Sequence, residues 1–374
     1  MGTVEAGLDY SSSDTQHHKE LDAEALFVLK SRGSWLHCGY HLTTSIVAPA
    51  LLSLPFAFAL LGWVAGVSCL IIAVLVTFYS YNLLSKVLEH HAQLGQRQLR
   101  FRDMASDILG PRWGRYFVGP LQFSLCYAAV IACTLLGGQS LKFIYLLCNS
   151  SGTMKLYEFV AIFGVLMLIL AQIPSFHSLR HINLISLTLC LAYSTCATID
   201  STYIGNSVNA PPKDSSVNGD GKDQLFGAFN AISIIATTYG NGIIPEIQVY
   251  LQPTNELVEK KYGDPKSNQF SIRKVVPRLF LRSLLVVVAT ILAAMFPFFG
   301  DINALIGAFG CIPLDFVLPM VFYNVTFKPS RKALLFWGNT AIAMLFSMLG
   351  VLGAISSVRQ IVIDAKLYQV FANI

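Results

Sequence analysis

Charge is what this chain has least of. Of its 374 residues, 13% are Asp, Glu, Lys or Arg and 54% are hydrophobic, against about 25% charged in an average soluble chain. The mean hydropathy of +0.57 agrees. So little polar surface cannot coat a globule of this size, which excludes an ordinary soluble enzyme. Catalytic signatures are missing too. There is no nucleophile elbow, phosphate-binding loop, dinucleotide fingerprint or metal-ligand cluster, so no catalytic residue, metal site or cofactor is expected. Without an ATPase motif, uphill work must draw on an ion gradient. The eight cysteines, Cys38, Cys69, Cys126, Cys133, Cys148, Cys190, Cys196 and Cys311, form no C-x-x-C pair and read as small packing residues. His90-His91 sits in a basic segment and reads as solvated. No apolar stretch follows the first Met, so no cleavable signal peptide is expected.

What the chain does have is apolar runs. Residues 1–40 are polar, with Ser11-Ser12-Ser13-Asp14 and His17-His18, and read as a cytosolic tail. Residues 41–374 read as a transmembrane domain. It holds nine runs near the ~20 residues a membrane helix needs: 41–61, 63–84, 117–147, 156–173, 182–204, 225–247, 279–299, 304–326 and 333–357. In hydrocarbon every backbone polar group must be satisfied within the protein, and the alternation of a barrel strand is absent. The expected fold class is an all-α polytopic membrane protein with nine transmembrane helices.

The net charge is +5, but the basic residues sit in short segments between apolar runs, as orientation in a bilayer requires, and no nucleic-acid partner is expected. With the N-terminus in the cytosol, 20 Lys and Arg fall inside and six (Lys142, Lys155, Lys213, Lys222, Arg359 and Lys366) fall outside. That imbalance predicts a cytosolic N-terminus and an extracellular C-terminus. The sequon Asn149-Ser150-Ser151 then lies outside, making Asn149 the glycosylation candidate, whereas Asn324-Val325-Thr326 lies at the cytosolic face. The polar stretch from Asn209 to Asp223 reads as an extracellular linker.

In a membrane protein, function is sought where helices break and where charge is buried. The run 41–61 contains Thr43-Thr44-Ser45-Ile46-Val47-Ala48-Pro49-Ala50-Leu51-Leu52-Ser53-Leu54-Pro55. Two prolines six residues apart imply either a kinked span or an unwound segment whose free backbone groups face a ligand. The run 225–247 is interrupted likewise by Thr237-Thr238-Tyr239-Gly240-Asn241-Gly242 and by Pro245-Glu246, and it carries Asn230. Two broken spans, five apart, fit inverted repeats with a binding site between them. Asp315 falls within the run 304–326, between Pro313 and Pro319, and Glu246 lies at the inner end of 225–247. For each, a structural or interfacial role and a proton-carrying role both stand open.

These residues resemble the amino acid/auxin permease family: Ser45 to Pro55 with Phe56-Ala57-Phe58, Asn230-Ala231-Ile232-Ser233-Ile234-Ile235-Ala236, Phe298-Phe299-Gly300-Asp301-Ile302-Asn303-Ala304-Leu305-Ile306-Gly307, and Pro313-Leu314-Asp315-Phe316. Val47-Ala48-Pro49-Ala50, in place of the commoner Gly-x-Gly, is similar to the plant γ-aminobutyrate (GABA) transporter branch. The resemblance implies a leucine-transporter-type inverted-repeat bundle and proton-driven import across the plasma membrane. Family members usually have eleven spans. Here Glu246-Ile247-Gln248 runs directly into Val249-Tyr250-Leu251-Gln252-Pro253, so roughly two spans of ~20 residues each are absent between Gln248 and Val249.

The expected function is proton-coupled import of GABA and related amino acid zwitterions, with protons, the small-molecule substrate and the lipid bilayer as partners. The substrate site draws on Thr44, Ser45, Val47, Ala48, Pro49, Ala50 and Leu51 of the first break and on Asn230, Ser233, Thr237 and Tyr239 of the second. Backbone N–H groups near Ala50, Leu51 and Leu52 would meet the carboxylate, and oxygens of the second break the amine. Glu246 and Asp315 are the proton-coupling candidates. The alternatives are a permease for other neutral amino acids and a shortened, transport-defective form that pairs with full-length transporters.

Overall fold

A computed structural model of the chain describes residues 49–95, 101–172, 180–207, 217, 220–239, 272–330 and 332–367, and among these all regular structure is helical. A 3₁₀ turn, Pro49–Ser53, leads into α1, Leu54–Leu61. Gly62 ends α1 with φ +79° and donates its N–H to the Phe58 carbonyl at 2.8 Å. That left-handed conformation suits glycine and lets α2, Trp63–Gln93, start at once in a new direction. A short helix α3, Phe101–Ile108, buries Phe101, Met104 and Ala105 and turns the Arg102–Asp103 ion pair (3.3 Å) outward. Pro111–Trp113 and a π-helical turn, Gly114–Val118, run into α4, Gly119–Cys148. Then follow α5, Leu156–Ala171; α6, Arg180–Gly205; α7, Gly221–Tyr239; and α8, Ile272–Met295. The next span is composite: α9, Phe299–Ile306, a π-helical stretch, Gly307–Val317, and α10, Leu318–Phe327. Pro313 lies inside the π stretch, where a widened turn accommodates its missing N–H. The last helix is α11, Leu334–Leu367.

Five of these helical stretches are long and apolar enough to cross a membrane: Trp63–Gln93, Pro111–Cys148, Leu184–Gly205, Phe299–Phe327 and Leu334–Ala365. Leu51–Leu61, Leu156–Ala171 and Leu279–Met295 are shorter apolar helices. The chain is therefore a polytopic helical membrane protein. α2 and α11 run well past the apolar runs that announce them, to Gln93 and Leu367. The charged residues at their ends still favour helix, and hydropathy alone stops too early.

The composite span forms the centre. Of its membrane window, 72% is buried, whereas none of the Leu184–Gly205 window of α6 is. α7, α11, α4 and α2 all pack on it, and α1 packs on α7. α5 packs on both α4 and α8, which also touch each other. Small residues set these distances, as expected where lipid offers no hydrophobic drive between helices. A Cβ at Gly138 would strike Val160, and one at Gly164 would strike Thr290. Arg282 of α8 is 4% exposed, and its Nη1 donates to the Ala171 carbonyl at 3.2 Å, placing a cation on the negative C-terminal end of α5.

Candidate functional site

The first break in the sequence coincides with the 3₁₀ turn at Pro49–Ser53. Proline, with φ fixed and no N–H to give, suits the start of a turn whose own first donors have no partner. The turn and α1 pack on α7 and α9. Ser53, at the α1 N-terminus, is 3% exposed, while Leu52 is 50% exposed. Pro49, Ala50 and Leu51 belong to this turn; Thr44, Ser45, Val47 and Ala48 lie outside the described residues.

α7 ends at Tyr239, and the rest of the second interruption, Gly240-Asn241-Gly242 and Pro245-Glu246, lies outside the described residues. Within α7, Asn230, Ser233 and Thr237 recur at i, i+3 and i+7, so they share one face. That face meets α9, the π stretch and α11. The Thr237 hydroxyl donates to the Asn303 carbonyl of α9 at 2.6 Å and to the Ser233 carbonyl at 3.1 Å. Ser233 is fully buried and donates to the Phe229 carbonyl at 2.9 Å. Glycines press on it from two sides: a Cβ at Gly307 would collide with its carbonyl, and one at Gly353 with its hydroxyl. Asn230 is 1% exposed, and its Oδ1 accepts from Ser357 of α11 at 2.9 Å. Tyr239 packs instead with the α1–α7 cluster of Ala57, Ala231, Ile234 and Ile235.

Asp315 is fully buried in the π stretch, with Cys311 beside it, and its peptide carbonyl accepts the Ser80 hydroxyl of α2. Asn149 is exposed at the end of α4. The arrangement thus brings together Asn230, Ser233 and Thr237 and sets the Pro49 turn against the same helix, and Cys311 lies between Thr237 and Asp315.

The fold adds residues that the hydropathy pattern passes over. Asp301 and Asn303 of α9 are each 3% exposed, and Ser357 is fully buried. Asp364 of α11 reaches Asp301. Asp301 and Asn303 sit between two apolar runs in the sequence and Asp364 beyond the last one, so all read as connecting residues. An aspartate flanked by apolar residues on both sides, as in Gly300-Asp301-Ile302, is the signal that marks the first of them.

Such a bundle, with the Pro49 turn and α7 beside a buried polar strip, is suited to carrying a small polar solute. The pattern of the family "Transmembrane amino acid transporter protein" matches residues 31–249 and 241–363. GABA transporter 1 of Arabidopsis thaliana is 52% identical over 434 aligned residues, covering 95% of this chain and 96% of that protein. Lysine histidine transporter-like 1 and Amino acid permease 1, both of Arabidopsis thaliana, are 24% and 22% identical over 98% and 99% of this chain and 97% and 96% of their own. No solved structure matches the chain. At least 60 of the 434 positions aligned with GABA transporter 1 have no counterpart among the 374 residues here. The family pattern itself matches in two pieces that meet at residues 241–249, where the sequence joins Gln248 to Val249. On the family pattern and on the relative with which it shares half its residues, the chain belongs to the transmembrane amino acid transporter family.

Proposed function

We propose that the protein imports GABA and related zwitterionic amino acids across the plasma membrane, driven by the inward proton gradient. The observation that carries this is the 52% identity to GABA transporter 1, which extends across 95% of the chain. The architecture in this reading is a leucine-transporter-type bundle of nine spans, with the N-terminus in the cytosol, as the 20-to-6 partition of Lys and Arg favours. The substrate carboxylate lies at the positive end of α1, against N–H groups of the Pro49–Ser53 turn, and the amine lies against oxygens of the second interruption expected from Thr237 to Pro245. Asn230, Ser233 and Thr237 hold α7 in register against α9 and α11, and Asp315 and Glu246 are acids able to carry a proton within the span they occupy. Radiolabelled GABA uptake by a transport-deficient host expressing the chain, at acid and neutral outer pH, tests the reading. Uptake above the empty host that rises with acidity supports it. Uptake of other neutral amino acids with GABA excluded replaces the substrate, and uptake indifferent to pH removes the coupling.

A second reading rests on the interrupted family match at residues 241–249. A chain short of at least 60 family positions, enough for two spans and their connection, acts as a transport-defective partner of full-length relatives. Its mark is detergent-stable association with an eleven-span relative in the absence of uptake by the chain alone.

A further inference from the structure

The two sequons, Asn149-Ser150-Ser151 and Asn324-Val325-Thr326, are treated in opposite ways by the fold. Asn149 is the first residue beyond α4, with non-helical dihedrals of φ −141° and ψ 89°. Its N–H donates to the Tyr145 carbonyl at 2.8 Å, and its carbonyl accepts from the Gly152 N–H at 3.0 Å, so residues 149–152 form a turn. Glycine suits position 152, because a Cβ there would run into the Tyr145 ring. Asn149, Ser150 and Ser151 are all exposed. The Ser151 hydroxyl donates to Asn149 Oδ1 at 3.1 Å. That bond engages the oxygen end of the amide, and among the described residues nothing engages Nδ2.

Asn324 is placed the other way. It lies within α10 and is half-buried. Its Oδ1 accepts from Asn339 Nδ2 at 2.9 Å, and its Nδ2 is directed at the Phe336 carbonyl and the Thr340 hydroxyl, each at 3.4 Å. On a helix, residues i and i+2 do not face each other, so Thr326 cannot bring its hydroxyl to the Asn324 amide. Thr326 Oγ1 is buried instead, with no hydrogen-bond partner. A modifying enzyme would have to unwind α10 and part it from α11 to reach this amide.

The side of the membrane follows from length. The helix Pro111–Cys148 has 38 residues, about 57 Å at ~1.5 Å per residue, against a hydrocarbon core of ~30 Å. Its two ends therefore stand clear on opposite sides. Arg112 and Arg115, both exposed, mark the first end as cytosolic, which leaves Asn149 outside. We propose that Asn149 carries an N-linked glycan and that Asn324 carries none. The inference rests on the cytosolic N-terminus of the proposed function. In the lumen of the compartment where the chain is inserted, Asn149 Nδ2 attacks the anomeric carbon of a lipid-diphosphate-linked oligosaccharide. An N–C bond forms, the C–O bond to the diphosphate breaks and its electron pair leaves with the diphosphate, and Nδ2 gives one proton to a base of the transferase. The product is a bulky, hydrated group on the turn between α4 and α5, which holds that turn on the outer side.

The full chain is expressed in an animal cell line, and its electrophoretic mobility is compared before and after peptide N-glycosidase F. The wild type should shift once, by the mass of a single glycan. Asn149→Gln and Ser151→Ala should run at the deglycosylated position without treatment, while Ser151→Thr and Asn324→Gln should shift as the wild type does. A shift kept by Asn149→Gln and abolished by Asn324→Gln overturns the assignment, as does a wild type whose mobility the enzyme leaves unchanged. A second measurement separates a failed modification from a failed orientation. In sealed microsomes, a membrane-impermeant maleimide should label Cys148, exposed beside the sequon, only after the membrane is opened, with Cys148→Ala as the blank. Cys148 protected until opening, with no glycan, overturns the modification and leaves the orientation standing. Cys148 labelled while the microsomes are sealed overturns both.

Discussion

Gly307 lies against the Ser233 carbonyl so closely that even one methyl group has no room between them. The contact fixes how near the central π stretch comes to α7, and the Thr237–Asn303 hydrogen bond of 2.6 Å holds the same seam a turn away. Gly307→Ala must push backbone from backbone, because the atom in its way is not a flexible side chain. Overpacking of this kind costs about 1–3 kcal/mol. The expected outcome is a lower melting temperature of the detergent-solubilised protein, with a larger loss for Gly307→Val.

Pro49→Ala addresses the turn before α1. Alanine restores the missing N–H and favours α-helix, so the 3₁₀ geometry of Pro49–Ser53 is no longer enforced. Membrane insertion should stay near normal while GABA binding is lost, measured as bound label per unit of surface protein. Unchanged affinity would assign Pro49 a kink and nothing more.

Arg282 combines burial with a helix end. Its guanidinium satisfies the Ala171 carbonyl at the C-terminus of α5, and a favourable partly buried charge at that position contributes up to ~2 kcal/mol. Arg282→Met, which keeps the bulk and removes the charge, should destabilise the α5–α8 pair by about that amount. Thermal unfolding followed by labelling of Cys133 on the adjoining α4 reports it.

Restoring the segment absent between Gln248 and Val249 tests what the short chain has lost. A chimera carrying the corresponding stretch of GABA transporter 1 should take up GABA faster than the present chain, whose uptake is weak, at equal surface expression. Equal rates would make the segment dispensable.

The helices were legible because hydropathy in a membrane is a direct reading of the solvent, and the runs at 117–147, 156–173 and 182–204 fall within a few residues of α4, α5 and α6. The break at Pro49 was legible for the same local reason, since proline acts on its own turn. What stayed hidden depends on pairing across the bundle. Asp301 and Asp364 are 63 positions apart, and nothing in either neighbourhood announces the other. The close fit of Gly307 and Gly353 on Ser233 is equally non-local, for a glycine in a helix looks the same whether it faces lipid or a neighbour's backbone. The three polar residues of α7 were visible as a set, but their hydrogen bonds to α9 and α11 were not.

α6 differs from every other long span in having no buried residue in its membrane window. Its hydroxyls do not suffer for this. Thr188, Thr195, Thr198 and Thr202 each donate to the carbonyl four residues back, at 2.7 to 3.1 Å, so these four hydroxyls are satisfied within the helix. Among the described residues, a helix with nothing buried in its membrane window stands outside the cooperative unit formed by its neighbours. It keeps its shape when the bundle melts, and exchanges among apolar residues such as Leu189 or Ile199 leave the bundle's transition where it was. Tilt and rotation of this one segment follow membrane thickness, so a reporter placed on it gauges the lipid while the rest of the molecule gauges the cargo.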